Sequence, residues 1–128
     1  MLIPNYLAIT TEQYNQIVTT DPDTAVGLVL EWLEESIGTK NLTDIDNAFI
    51  DLSDELTDPT MREAVGGNSL IAQDPPLFLA SAEEVQSYSS ALESYNTDNL
   101  ECEDAFFTLA DFYAHAATNN KAVAVLYN

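Results

Sequence analysis

Carboxylates are the one reactive group this chain has in quantity. It carries 22 Asp and Glu against three Lys and Arg, for a formal charge of −19 over 128 residues. Paired carboxylates can run acid–base chemistry, but only where burial lifts one of them toward neutrality. With so many acids, pairs arise by chance, and no spacing singles one out. Other chemistry has less to draw on. The single histidine, His115, shares a helical face with Asp111 and Asp104, and one His with aspartates is a poor zinc set. A positive His near a helix C-terminus is the simpler role. Asp44-Ile45-Asp46-Asn47 and Asp21-Pro22-Asp23 hint at calcium, yet neither has the turn Gly or the closing Glu of an EF-hand. Cys102 has no partner cysteine and no identifiable base. It falls on an apolar helix stripe, where a small buried hydrophobe is expected. No Ser lies in a nucleophile elbow, and Gly66-Gly67 is not followed by the residues of a P-loop. The sequence therefore predicts no catalytic, cofactor or metal site and favours binding over catalysis.

The acids run from Glu12 to Asp111, so a solvated tail is not their source. A folded surface negative nearly everywhere repels nucleic acid and anionic membrane. It attracts basic partners by fast, salt-sensitive association. Two helical stripes stand out: Glu31, Glu34 and Glu35, then Asp44, Asp51, Glu55 and Asp58. If their helices pack side by side, the stripes merge into one field that could stand in for phosphates. These seven residues are the predicted partner-binding set. The reading is a non-catalytic module, of inhibitor or immunity type, with a DNA-mimic-like surface that occupies a basic nucleic-acid-binding protein. Two other readings stand beside it. One is a small-ligand protein or enzyme with a pocket near Tyr6, Tyr88, Tyr95, Tyr113 and Tyr127. The other is a housekeeping or salt-adapted domain whose charge serves solubility.

The elements that must position these groups follow from periodicity and punctuation. Leu2 to Ile9 reads as a strand. Thr10 or Thr11 caps a helix to Val18, with Tyr14, Ile17 and Val18 inward. Asp21 and Pro22 open a second helix that runs to Ile37 and stops at Gly38. Its stripe is Val26, Val29, Leu30, Leu33 and Ile37. Thr43, with Asp46 three residues on, predicts the start of a third helix that Pro59 ends. Met61 to Val65 adds one turn before Gly66-Gly67. Ser69–Ala72 and Leu77–Leu79 are short strands around a two-proline loop that argues against a tight hairpin. Ser81 and Glu84 form a capping box before a helix with Val85, Tyr88, Leu92 and Tyr95 on one face. The last helix carries Cys102, Ala105, Phe106, Leu109, Phe112, Tyr113 and Ala116 inward. Ala122–Leu126 is an unbroken apolar run, the pattern of a strand covered on both faces.

The prediction is one α+β domain over residues 1–128, with a small mixed or antiparallel sheet of three to four short strands and about five helices. The hydrophobic fraction of 46 % is ordinary for a globular chain. No run approaches transmembrane length, the N-terminus lacks the pattern of a signal peptide, and one cysteine permits no intrachain disulfide. A cytoplasmic protein is expected.

The order of motifs resembles the YfbM-like family of small bacterial proteins. Asn5-Tyr6-Leu7-Ala8-Ile9 with its following helix is similar to the family's opening. Thr43 to Phe49 resembles its "LDIDKAW" helix, and Leu56-Thr57 the ending "LLT". Ala64-Val65-Gly66-Gly67, then Leu79 to Val85, resemble its Gly-Gly turn and "LTPEEV" helix start. Ala105 to Tyr127 resembles its closing helix and strand. Asn47, Phe49, Ile50 and Ser53 depart from the family's Lys, Trp and His. A segment with Ile-Tyr-Pro and Trp, expected between Leu100 and Glu101, is missing. The resemblance implies an α+β fold and no particular activity.

Overall fold

The structure is a computed structural model that describes residues 1–128. One five-stranded sheet runs through it: β1 (Pro4–Ile9), β2 (Leu42–Asp44), β3 (Ser69–Gln73), β4 (Pro76–Ala80) and β5 (Ala122–Tyr127), in the order β2-β1-β5-β4-β3. Every neighbouring pair is antiparallel. Six helices cover it: α1 (Thr11–Val18), α2 (Pro22–Glu35), α3 (Ala48–Glu55), α4 (Pro59–Gly66), α5 (Ala82–Glu93) and α6 (Glu103–Thr118). The α+β class stands, with one strand and one helix more than the sequence suggests.

Strand β5 lies at the centre, and its composition explains why. Successive side chains point to opposite faces, and both faces are covered. Ala122, Ala124 and Leu126 join a core with α1 and α2. Val123 and Val125 join the larger core built from α3, α4, α5 and α6. An antiparallel strand roofed on both sides has no polar face to show, hence the unbroken apolar run. Pro4 opens β1, where its missing N–H costs least.

The caps act as the sequence implies. Thr10 and Gln13 make a capping box, Asp21 accepts from Thr24 N at 3.0 Å ahead of Pro22, and Ser81 and Glu84 cap each other reciprocally. Each such cap is worth about 1 kcal/mol.

Three local readings change. Thr43 opens no helix: Leu42–Asp44 is an edge strand paired with Asn5, Tyr6 and Leu7. The Asp44 carboxylate accepts the Asp46 N–H at 3.0 Å, an Asx turn, and Asp46 takes φ +53°. The same residue types cap helices and make such turns, and here the turn wins. The third helix starts only at Ala48. The segment after Pro59 is a full helix of 8 residues, with Asp58 as its cap. Further on, β3 and β4 do form a tight hairpin. Gln73 pairs with Pro76, and Asp74-Pro75 is cis, the form a type VI turn has at its second central residue.

The fourth change bears on function. α2 packs on one face of the sheet and α3 on the other, because Val29 and Leu33 belong to one core and Leu52 and Leu56 to its opposite. The two acidic stripes cannot merge across that sheet.

Candidate functional site

No Asp or Glu is buried, so the whole charge of −19 lies at or near the surface. The seven predicted partner-binding acids divide by what their carboxylates already do. Asp44 holds its Asx turn. Asp58 caps α4, accepting from Thr60 N at 2.8 Å and Met61 N at 3.3 Å. Glu55 reaches across 46 residues to the start of α6, accepting from Glu101 N at 2.8 Å and Cys102 N at 2.7 Å. These two bonds satisfy N–H groups at a helix end where negative charge is favoured. The other four, Glu31, Glu34 and Glu35 on α2 and Asp51 on α3, are exposed and serve no such bond.

Glu55 is therefore a structural residue that sequence alone presents as a surface charge. The backbone N–H of Glu101, with that of Cys102 helping, holds its carboxyl below the usual range. A lowered folded pKa means the contribution is intact above the unfolded value of about 4.5 and fades as pH falls through the folded one. Glu55→Gln should destabilise the fold at neutral pH and flatten the acid limb of the stability curve. Denaturant melts from pH 7 to 3 read both effects. An unchanged acid limb overturns the assignment.

Acid–base chemistry finds little footing. Asp21 and Glu55 are held below the ordinary carboxylate range, Asp21 first by the Thr24 N–H; a general acid needs the opposite shift. Cys102 is half-buried ahead of α6. Burial, then the Glu55 carboxylate, push its thiol up to about 11, so it stays protonated at neutral pH. No three His, Cys, Asp or Glu side chains gather as metal ligands.

His115 and Asp111 meet Lys40 around an open hollow of about 370 Å³ between α6 and β2, with Thr43 and Thr108 on its walls. Lys121 lies near it, bonding Asn41 Oδ1 at 3.0 Å. Most of the chain's few cations thus share one region. The Asp111 carboxylate stands among them on the wall of the hollow.

The tyrosines do not line a pocket together. Tyr113, Tyr6 and Tyr127 donate to the carbonyls of Ala64, Val65 and Gly66, at 2.5, 2.5 and 2.7 Å. The Gly67 N–H takes the Glu63 carbonyl at 2.8 Å. The four carbonyls that the C-terminus of α4 leaves open are thereby all satisfied. Tyr88 reaches Glu63 Oε2 at 3.4 Å, and Tyr95 packs on Phe106 at a ring distance of 5.6 Å. Spacing cannot reveal such partners, since they come from β1, α6 and β5.

The surface that remains is on α2. α2 ends at Glu35, two residues short of the expected Ile37, and neither Leu30 on the helix, 39 % exposed, nor Ile37 in the turn after it, 72 % exposed, faces inward. Instead Leu33 is buried beneath them, and Leu30, Leu33, Ile37 and Leu42 line a hollow of about 370 Å³ with Glu34 on its wall. The acid stripe of α2 thus borders an apolar strip made by Leu30 and by Ile37 in the turn that follows the helix.

The molecule is an α+β protein: a sheet of five antiparallel strands between unequal helical layers, with an acidic helix on the thinner side. The same fold occurs in YfbM from Escherichia coli, a protein of unknown function. Its crystal structure matches with a TM-score of 0.64 over 100 % of both chains at 14 % sequence identity. The resemblance seen in the motifs holds at the level of fold. The sequence matches no family model and no curated protein. No helix is long and apolar enough to cross a membrane.

Proposed function

We propose that this protein is a non-catalytic acidic binding module whose contact face is α2, and that its partner is a basic protein. One observation carries the reading. Glu31, Glu34 and Glu35 stand exposed on one rigid helix without a bond to hold in the fold, on a molecule of charge −19. Such a field speeds encounter with a cationic surface, and unpaired rim carboxylates make the register. A partner that normally binds nucleic acid suits this charge, as in an inhibitor or immunity-type protein. The wide mimic face once built from both stripes is replaced by a narrower one, since Asp51, Glu55 and Asp58 lie across the sheet.

The test is a pull-down from nuclease-treated lysate at low and high salt, with E31Q/E34Q/E35Q and, as the control on the other face, D51N. One basic protein should be recovered in stoichiometric amount, be reduced at high salt and persist with the D51N variant. The triple variant should bind it about tenfold more weakly, from three rim contacts of a few tenths to 1 kcal/mol each. Recovery that ignores both salt and the triple variant sinks the proposal.

A further inference from the structure

The α2 surface carries more than charge. Going round α2 at about 100° per residue, Leu33 and Leu30 come first, then Glu34, Glu31 and Glu35, and Ile37, in the turn just past the end of α2, lines the same hollow as Leu30 and Leu33. The buried stripe passes directly into an exposed apolar strip, and the strip into the acids. Leu42 on the short edge strand β2 supplies the opposite wall of the groove, with Asn5 beside it. An isolated exposed Leu needs no explanation, but a lined apolar groove on so charged a surface does.

We infer that this groove seats an apolar side chain of a cationic amphipathic helix from the partner, so that groove and acid stripe form a single docking site. This rests on the reading of α2 as the contact face. Charge complementarity selects the occupant. A second copy of the chain would set −19 against −19, and an anionic membrane is repelled likewise. A cationic helix has the matching pattern: an apolar stripe at spacings of three and four, with Lys and Arg flanking it to meet Glu34, Glu31 and Glu35. Strand addition to β2 is a poorer fit, because that strand has only 3 residues to pair.

Two model helices of equal length and charge test this by fluorescence anisotropy. One carries Leu along one face and Lys elsewhere; in the other Ala replaces each Leu. The Leu helix should bind about tenfold tighter, the effect of one aliphatic side chain leaving water. L30S/I37S should bring it down to the Ala helix and leave the Ala helix unchanged. Ile37→Ser alone, at a residue mostly in solvent, should give part of that loss without disturbing the fold. Equal, salt-sensitive binding of both helices overturns the groove while the acidic face survives. Binding of neither, or no effect of E31Q/E34Q/E35Q, overturns the underlying reading as well. A dimer in sedimentation that Ile37→Ser dissolves makes a second copy the occupant and also defeats the inference.

Discussion

Gly67→Ala should cost the domain about 3–5 kcal/mol, enough to lower the melting temperature by roughly 10 °C or more. Two separate penalties combine. Gly67 sits at φ +102°, ψ 159°, just past the end of α4, a region essentially closed to residues with a Cβ. The space is closed too: an added Cβ would overlap the Phe78 ring on β4. Phe78 cannot easily yield, since its ring packs edge-on to Tyr127 at 5.8 Å. The adjacent glycine is the control. Gly66 is the last helical residue, and the nearest atom to an added Cβ is the Tyr127 hydroxyl at 3.8 Å. Gly66→Ala should be neutral or stabilise by up to about 1 kcal/mol, because Ala is the better helix residue. Chemical denaturation of both variants decides the matter. Equal effects would mean that neither the backbone angle nor the Phe78 contact matters as argued.

What could be read from the sequence were the features that depend on neighbours in the chain. β5, α5 and α6 follow from runs and stripes, and the caps at Thr10, Asp21 and Ser81 from residues a few positions apart. Strand β2 was hidden because Leu42–Asp44 is too short for alternation to show, and because Asp44 and Asp46 look alike in a turn and at a helix start. Other features are not local at all. The chain crosses from one face of the sheet to the other between α2 and α3, so acids that seem to share a surface do not. Glu55 finds its partners 46 and 47 residues on. Periodicity made Leu30 and Ile37 part of the inward face of α2, but it cannot show where the sheet beneath the helix ends. The groove lies at that margin, with Leu42 of the edge strand β2 on its wall.

Replacing both Tyr6 and Tyr113 with Phe should destabilise the domain about as much as Gly67→Ala, at about 3–5 kcal/mol, with each single change costing about 1–3 kcal/mol. The two hydroxyls donate to neighbouring carbonyls, Val65 and Ala64, and Phe leaves those oxygens buried with no donor. The rings would remain packed, so the loss measures the bonds and not the core. Neighbouring carbonyls share one helix end, and the double variant need not equal the sum. A pH signature reports separately on the burial of these hydroxyls. Burial, chiefly, raises the pKa of Tyr6 and Tyr113 well above the ordinary 10, and burial raises Tyr127 as well. Because each folded pKa exceeds the unfolded value, the stabilisation is intact below pH of about 10. It is lost as pH climbs from there through the folded values, since the unfolded chain ionises first. Wild-type stability should therefore fall steeply above that pH, and Y6F/Y113F should fall much less steeply from its lower start. Parallel alkaline limbs would show that these hydroxyls are not held out of water, while single and double losses well below about 1 kcal/mol would show that they do not hold the end of α4. The same bonds bear on function. A hydroxyl that closes a helix carbonyl in the core is not free to meet a ligand, which counts against a pocket built from Tyr6, Tyr113 and Tyr127.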